Sequence, residues 1–177
     1  MQTRADSRQA LVVKSRLFPV VALAAIAAAG LWGWRACLPS PEKAIRQRLD
    51  ELARTASFGR NEGALARMLN SDKLAGFFAD DAQVKLELGN HVERLSGREK
   101  LRDAATSARL ALGSLKVDLH DMNIVVGADR QSAEVDLTAL CDVPGEPDPQ
   151  PFELKFLLKQ IGGDWMIRRV ETVKTLR

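Results

Sequence analysis

Three spacings of hydrophobic and polar residues divide this chain. Residues 17–34 (LFPVVALAAIAAAGLWGW) carry no charge, between Arg16 and Arg35. After Pro41 the apolar residues Ile45, Leu49, Leu52, Ala53 and Ala56 recur at helical spacing, which predicts a first helix over 41–57. Ser40 is a good N-cap for it and Pro41 a good first residue. Leu65, Met68 and Leu69 mark a short second helix, and a further turn holding Leu74, Phe77 and Phe78 closes at Asp80-Asp81. Val84, Leu86 and Leu88 then alternate with Lys85 and Glu87 as a half-buried strand. Gly89-Asn90 turns the chain into a returning strand over 91–95.

Ser96-Gly97-Arg98-Glu99 has the spacing of a capping box. It opens a third helix with a buried stripe of Leu101, Ala105, Ala108 and Leu112, ended by Gly113. Everything beyond Gly113 reads as long strands. Val117 and Leu119 share a face, but Met122, Ile124 and Val126 continue it one residue out of phase. Such a shift marks a β-bulge near His120-Asp121. Ala133, Val135, Leu137, Ala139, Cys141 and Val143 alternate strictly with polar residues, as do Phe152, Leu154, Phe156 and Leu158. The proline-rich loop 144–151 separates these two strands, and Gly162-Gly163-Asp164 turns the chain into the last one. Helices first and then consecutive strands predict an α+β fold with the helices packed on one face of a sheet.

The uncharged run would extend about 27 Å as a helix, close to the roughly 30 Å hydrocarbon core of a bilayer. Arg16 and Arg35 can snorkel to the headgroups, and Trp32 and Trp34 suit the interface. A cleaved signal peptide is the alternative, with a fitting basic start (Arg4, Arg8, Lys14, Arg16). Trp34, Arg35 and Ala36, however, make a poor cleavage site. The expected layout is therefore a basic tail (1–16), a transmembrane anchor (17–35), a linker (36–40) and one domain (41–177). Basic residues flank the span on both sides, so the positive-inside bias is nearly balanced. The short basic tail is most simply cytoplasmic, which puts the domain outside the cytoplasm, in the periplasm if the host is a bacterium.

A net charge of +3, with acidic and basic residues interleaved through the soluble part, offers no stripe for nucleic acid. Two histidines and two cysteines, without CxxC or HExxH spacing, argue against a zinc site; Cys37, just past the uncharged run, and Cys141, in a strand pattern, are poorly placed to pair as a disulfide, and no cofactor is expected.

The order Phe77-Phe78-Ala79-Asp80-Asp81-Ala82 before a strand, Ser96-Gly97 opening a helix, and Gly162-Gly163-Asp164-Trp165 with Ile167 in a final hairpin resembles the nuclear transport factor 2-like superfamily. That superfamily includes steroid isomerases and SnoaL-like polyketide cyclases, and the resemblance covers about residues 41–177. It implies a cone: a bent antiparallel sheet with three helices on its concave face and an apolar interior open at one end. Leu86, Leu88, Ile124, Leu137, Phe156 and Trp165 would line a pocket for a small apolar ligand. The same interior could instead be filled by Phe77, Phe78, Phe156 and Trp165.

Steroid-isomerase chemistry is disfavoured, because the position of the base falls on Leu86 and the chain has no tyrosine. For cyclase-type chemistry the weak candidates are His120, Asp121, His91 and Asp81. The resulting expectation is a membrane-tethered, non-catalytic domain that binds a protein partner or a small apolar ligand. Homodimerisation would use an exposed sheet face carrying Lys116, Asp118, Asp136, Thr138 and Leu140. A SnoaL-like enzyme acting on a small apolar substrate in the cone is the alternative.

Overall fold

The computed structural model describes residues 40–88 and 91–173, excepting the side chains of Leu88 and His91. The expected anchor, its basic tail and Cys37 lie outside the described residues. Among the described residues no helix is long and apolar enough to cross a membrane. The element order is α1 (Pro41–Ala56), α2 (Ala64–Ala75), β1 (Phe78–Leu88), β2 (His91–Ser96), α3 (Arg98–Ala111), β3 (Lys116–Val126), β4 (Ser132–Asp142), β5 (Gln150–Ile161) and β6 (Asp164–Thr172). The strands form one curved six-stranded sheet in the order β2-β1-β6-β5-β4-β3.

The α+β class and the three helices match the sequence pattern. The wholly antiparallel sheet does not, because β1 runs parallel to β6. Consecutive strands from β3 to β6 pair as hairpins, and the first strand of the chain can only reach the free side of the last one. Its direction is then set by the α2–β1 connection rather than by a tight turn.

α1 starts as its sequence demands. Ser40 Oγ accepts from the Lys43 amide at 3.3 Å, and Pro41 needs no amide partner. Its buried stripe is Ile45, Leu49, Leu52 and Ala53. These residues meet Ala133, Val135, Leu137, Ala139, Phe156, Leu158, Trp165, Ile167 and Val170 of the sheet in one core cluster. β4 is buried at alternate residues from Ala133 to Ala139, the period expected of a strand with one face on the core. Gly162 (φ 64°) and Gly163 (φ 96°) both sit in the left-handed region and close the β5–β6 hairpin in two residues.

Three local expectations are corrected. First, Asp80-Asp81 does not close a helical turn: α2 ends at Ala75, β1 begins at Phe78, and both aspartates lie in the strand. Second, Ser96-Gly97-Arg98-Glu99 is not a capping box. Gly97 is the N-cap, at φ 90°, and no side chain caps α3. Third, the buried stripe of α3 is Leu101 and Arg109, whereas Leu112 is exposed. The bulge near His120 is present: the β3–β4 register slips between His120 and Asn123, and Asp121 has a φ of 52°.

Candidate functional site

The interior is built from apolar side chains. Leu137, Phe156 and Trp165 are buried in the core cluster with Phe77, while Leu86, Ile124 and Phe78 are half-buried against it. Among the described residues the buried polar or charged ones are Thr55, Ser71 and Arg109; none is an aspartate, a glutamate or a histidine.

Arg109 organises the one buried polar cluster among the described residues. Its side chain is 1% exposed. Nη1 donates to Glu62 Oε1 at 2.6 Å, Nη2 donates to the Thr55 carbonyl, and the guanidinium stacks 4.8 Å from the centroid of the Phe58 ring. Asn70 Nδ2 also donates to Glu62 Oε1, at 2.7 Å, and Arg67 Nη2 donates to the Glu62 carbonyl at 3.1 Å. Burial works against the Glu62 carboxylate, but hydrogen bonds from Asn70 and Arg109, with the charges of Arg109 and Arg67, outweigh it and hold its pKa below the ordinary value. Glu62 is therefore ionised at neutral pH and already committed to partners, which suits a structural clamp and not a proton donor. Ser71 Oγ, Glu62 Oε2 and Arg67 Nε are buried without a protein hydrogen-bond partner.

The hydrophobic pattern by itself does not single out this cluster. A signal for it exists: Arg109 lies two steps of four residues beyond Leu101, in phase with the buried stripe. An arginine in that phase points to a buried charge.

Each of the four sequence candidates has its own surroundings. Asp81 lies in the exposed bulge of β1, where the register against β6 shifts between Phe78 and Gln83. It pairs with Arg168, whose hydrogen bond and charge hold its carboxyl below the usual range. Its neighbour Asp80 pairs with Arg98 at 2.9 Å, and Arg98 also donates twice to the Phe78 carbonyl, at 2.7 and 3.0 Å. These two aspartates fasten a bulge. His120 and Asp121 are both exposed. His120 lines an open groove of about 710 Å³ between α1 and β3, with Asp50, Arg54 and Asp118 on its walls. Arg46 of α1 donates to the Met122 carbonyl, just past the bulge, at 3.2 Å. The side chains of His91 and of the pocket candidate Leu88 lie outside the described residues. No group of three or more His, Cys, Asp or Glu placed to hold a metal ion occurs among the described residues. Cys141 is half-buried in β4, and burial pushes its thiol pKa up.

Among the described residues, no element covers the sheet face opposite the helices. One register row across it reads Arg94, Lys85, Glu171, Lys155, Asp136 and Asn123; the next holds Gln83, Arg169, Leu157, Glu134 and Val125. At the β2–β1–β6 end a groove of about 370 Å³ is lined by Lys85, Arg94 and Arg169. On β4, Glu134 and Asp136 share the ammonium of Lys155.

No family model matches the chain, and no curated protein matches it. Solved structures do. A nuclear transport factor 2-like protein with a cystatin-like fold from Novosphingobium aromaticivorans superposes with a TM-score of 0.55 at 14% identity, covering 82% of this chain and 85% of that one. A protein from the same organism, provisionally named a scytalone dehydratase, gives 0.55 at 14% identity over 76% of this chain and 84% of its own. The yeast Ubp3-associated protein Bre5 gives 0.56 at 17% identity over 76% and 97%. One of these is named for an enzyme and one for its association with a protein, so the likeness carries architecture and not activity. The domain of this chain has the nuclear transport factor 2-like, cystatin-like fold.

Proposed function

We propose that this chain is a membrane-tethered, non-catalytic binding domain. Residues 17–35 serve as its anchor, the basic tail stays in the cytoplasm and the domain lies outside it. Its working surface is the open sheet face, and its partner is a second copy of this chain or another protein. The observation that carries the reading is the contrast between the two sides of the sheet. Among the described residues the buried polar groups on the core side are Thr55, Ser71 and Arg109, and the half-buried Glu62 carboxylate is held ionised by Asn70 and Arg109. An acid–base enzyme working in the cone would need a titratable group there. On the open side the face carries Arg94, Lys85 and Arg169 with Glu87 and Glu171 toward β2–β1–β6, and Glu134 and Asp136 around Lys155 on β4 and β5. A two-fold axis lying between two such faces, parallel to the strands, brings the β2–β1–β6 end of one copy onto β4 of the other.

The test is native mass spectrometry of the detergent-extracted full chain at low and high salt. An empty dimer that weakens with salt, is broken by Arg169→Glu and is restored when Glu134→Arg is added supports the reading. A monomer that retains a small molecule transfers the function to the interior and to that molecule's chemistry.

A further inference from the structure

α2 is built inside out. Its underside, toward α1 and α3, presents Arg67, Asn70, Ser71, Leu74 and Ala75, all buried or half-buried, with Leu74 packed against the core. Its outer side presents Leu65, Met68 and Leu69, which are 66%, 56% and 55% exposed. These three share one helix face by their i, i+3, i+4 spacing. α2 and α3 run antiparallel, since Glu62 meets Arg109 and Asp72 meets Arg102 at 3.8 Å. That places Leu110 (62% exposed) beside the first turn of α2, and Leu112 follows at the end of α3. A soluble helix ordinarily turns such a stripe to the core.

We propose that this apolar face docks on the lipid surface of the membrane that holds the tether. The proposal rests on the anchor reading above. Only residues 35–39 separate the uncharged run from the cap of α1, and five residues span at most about 17 Å. The domain is thus confined beside the bilayer, where even a weak apolar contact is favoured by effective concentration. α1 is about 24 Å long, so an inclined domain can bring the far end of α1, where α2 begins, back to the headgroups. Leucines and a methionine on one helix face, with Arg60 exposed ahead of its first turn, suit insertion of about 5–10 Å into the interface with the cation left among headgroups. Five apolar side chains also fall well short of the roughly 20–30 residues a side of a stable protein interface, which favours lipid over a second copy. Docking by the helices leaves the opposite sheet face free for its partner.

The test uses the full chain in phosphatidylethanolamine–phosphatidylglycerol vesicles, with single nitroxide labels on a Cys37→Ser/Cys141→Ser background. Labels at Met68→Cys, Val125→Cys and Ala27→Cys report the patch, the open sheet face and the anchor. The expected result is a ratio of oxygen to water-soluble nickel collision rates several-fold higher at Met68→Cys than at Val125→Cys, and high at Ala27→Cys. A high ratio at Ala27→Cys with equal ratios at Met68→Cys and Val125→Cys overturns the docking and leaves the anchor standing. A low ratio at Ala27→Cys overturns the anchor and the docking with it. A Met68→Cys label shielded from both reagents in vesicles and in detergent alike shows the patch covered by protein, a second copy or residues 17–34, and overturns the lipid assignment.

Discussion

α1 and α2 are neighbouring helices with opposite logic. α1 buries Ile45, Leu49 and Leu52 and exposes Glu42, Lys43, Arg46 and Arg54, so apolar burial on the sheet holds it. α2 buries Ser71 and Ala75, half-buries Leu74 and exposes Leu65, Met68 and Leu69. Polar and ionic ties hold it instead: Glu62 to Arg109, Lys73 to Glu51 at 3.0 Å, and Asp72 to Arg102. The first kind of attachment is non-directional and insensitive to pH. The second concentrates on a few groups, and the buried Glu62–Arg109 pair carries most of it, because the other two pairs are exposed and contribute little.

The largest effect should come from breaking that clamp. Arg109→Leu takes the ion-pair partner from the half-buried Glu62 carboxylate, leaving it Asn70 and the more distant charge of Arg67, and should cost about 3–5 kcal/mol in urea unfolding. Adding Glu62→Gln should recover much of the loss, since the orphaned charge is then gone. If Arg109→Leu alone is neutral, α2 is held by something other than this pair. On the α1 side, Leu49→Ala removes a fully buried side chain and should cost about 2–5 kcal/mol, at neutral and acid pH alike.

Acid separates the two helices further. Glu62 has a folded pKa below its ordinary 4.5, so its contribution is complete above that value and is lost as pH falls through the folded pKa. The urea midpoint should therefore drop on acidification, and Glu62→Gln should make the drop shallower. It should not abolish it, because Glu51, Asp81 and Asp129 are also lowered by their partners. An unchanged acid limb in Glu62→Gln would remove the pair from the pH dependence. The smallest effect belongs to the outer face of α2. Leu69→Gln should change stability by no more than about 0.5 kcal/mol, because the side chain is more than half exposed already. A large loss there would mean that Leu69 is covered in solution.

Much of the architecture was legible along the chain. Ser40 and Pro41 announce α1, alternation from Ala133 to Ala139 announces β4, the phase slip announces the bulge at His120-Asp121, and two glycines announce the last hairpin. Each of these depends on neighbours within a turn or a strand. The candidate site was less legible. Asp80 and Asp81 read as a helix stop because their partners Arg98 and Arg168 are remote, the latter 87 residues from Asp81. Glu62 and Arg109 stand 47 residues apart, and although Arg109 falls in phase with the buried stripe of α3, nothing in its own segment names Glu62 as its partner.

The order of elements, the alternating core of the sheet and the uncharged run before the domain were determined by the sequence alone, because side-chain period and backbone preference act locally. Tertiary structure alone decided that β1 pairs in parallel with β6, that Arg109 is buried against Glu62, and that Leu65, Met68 and Leu69 of α2 face outward. An amphipathic period says that a helix has two faces. Which face meets the protein depends on what the rest of the chain places beside it. Here a buried arginine on α3 claims the polar side.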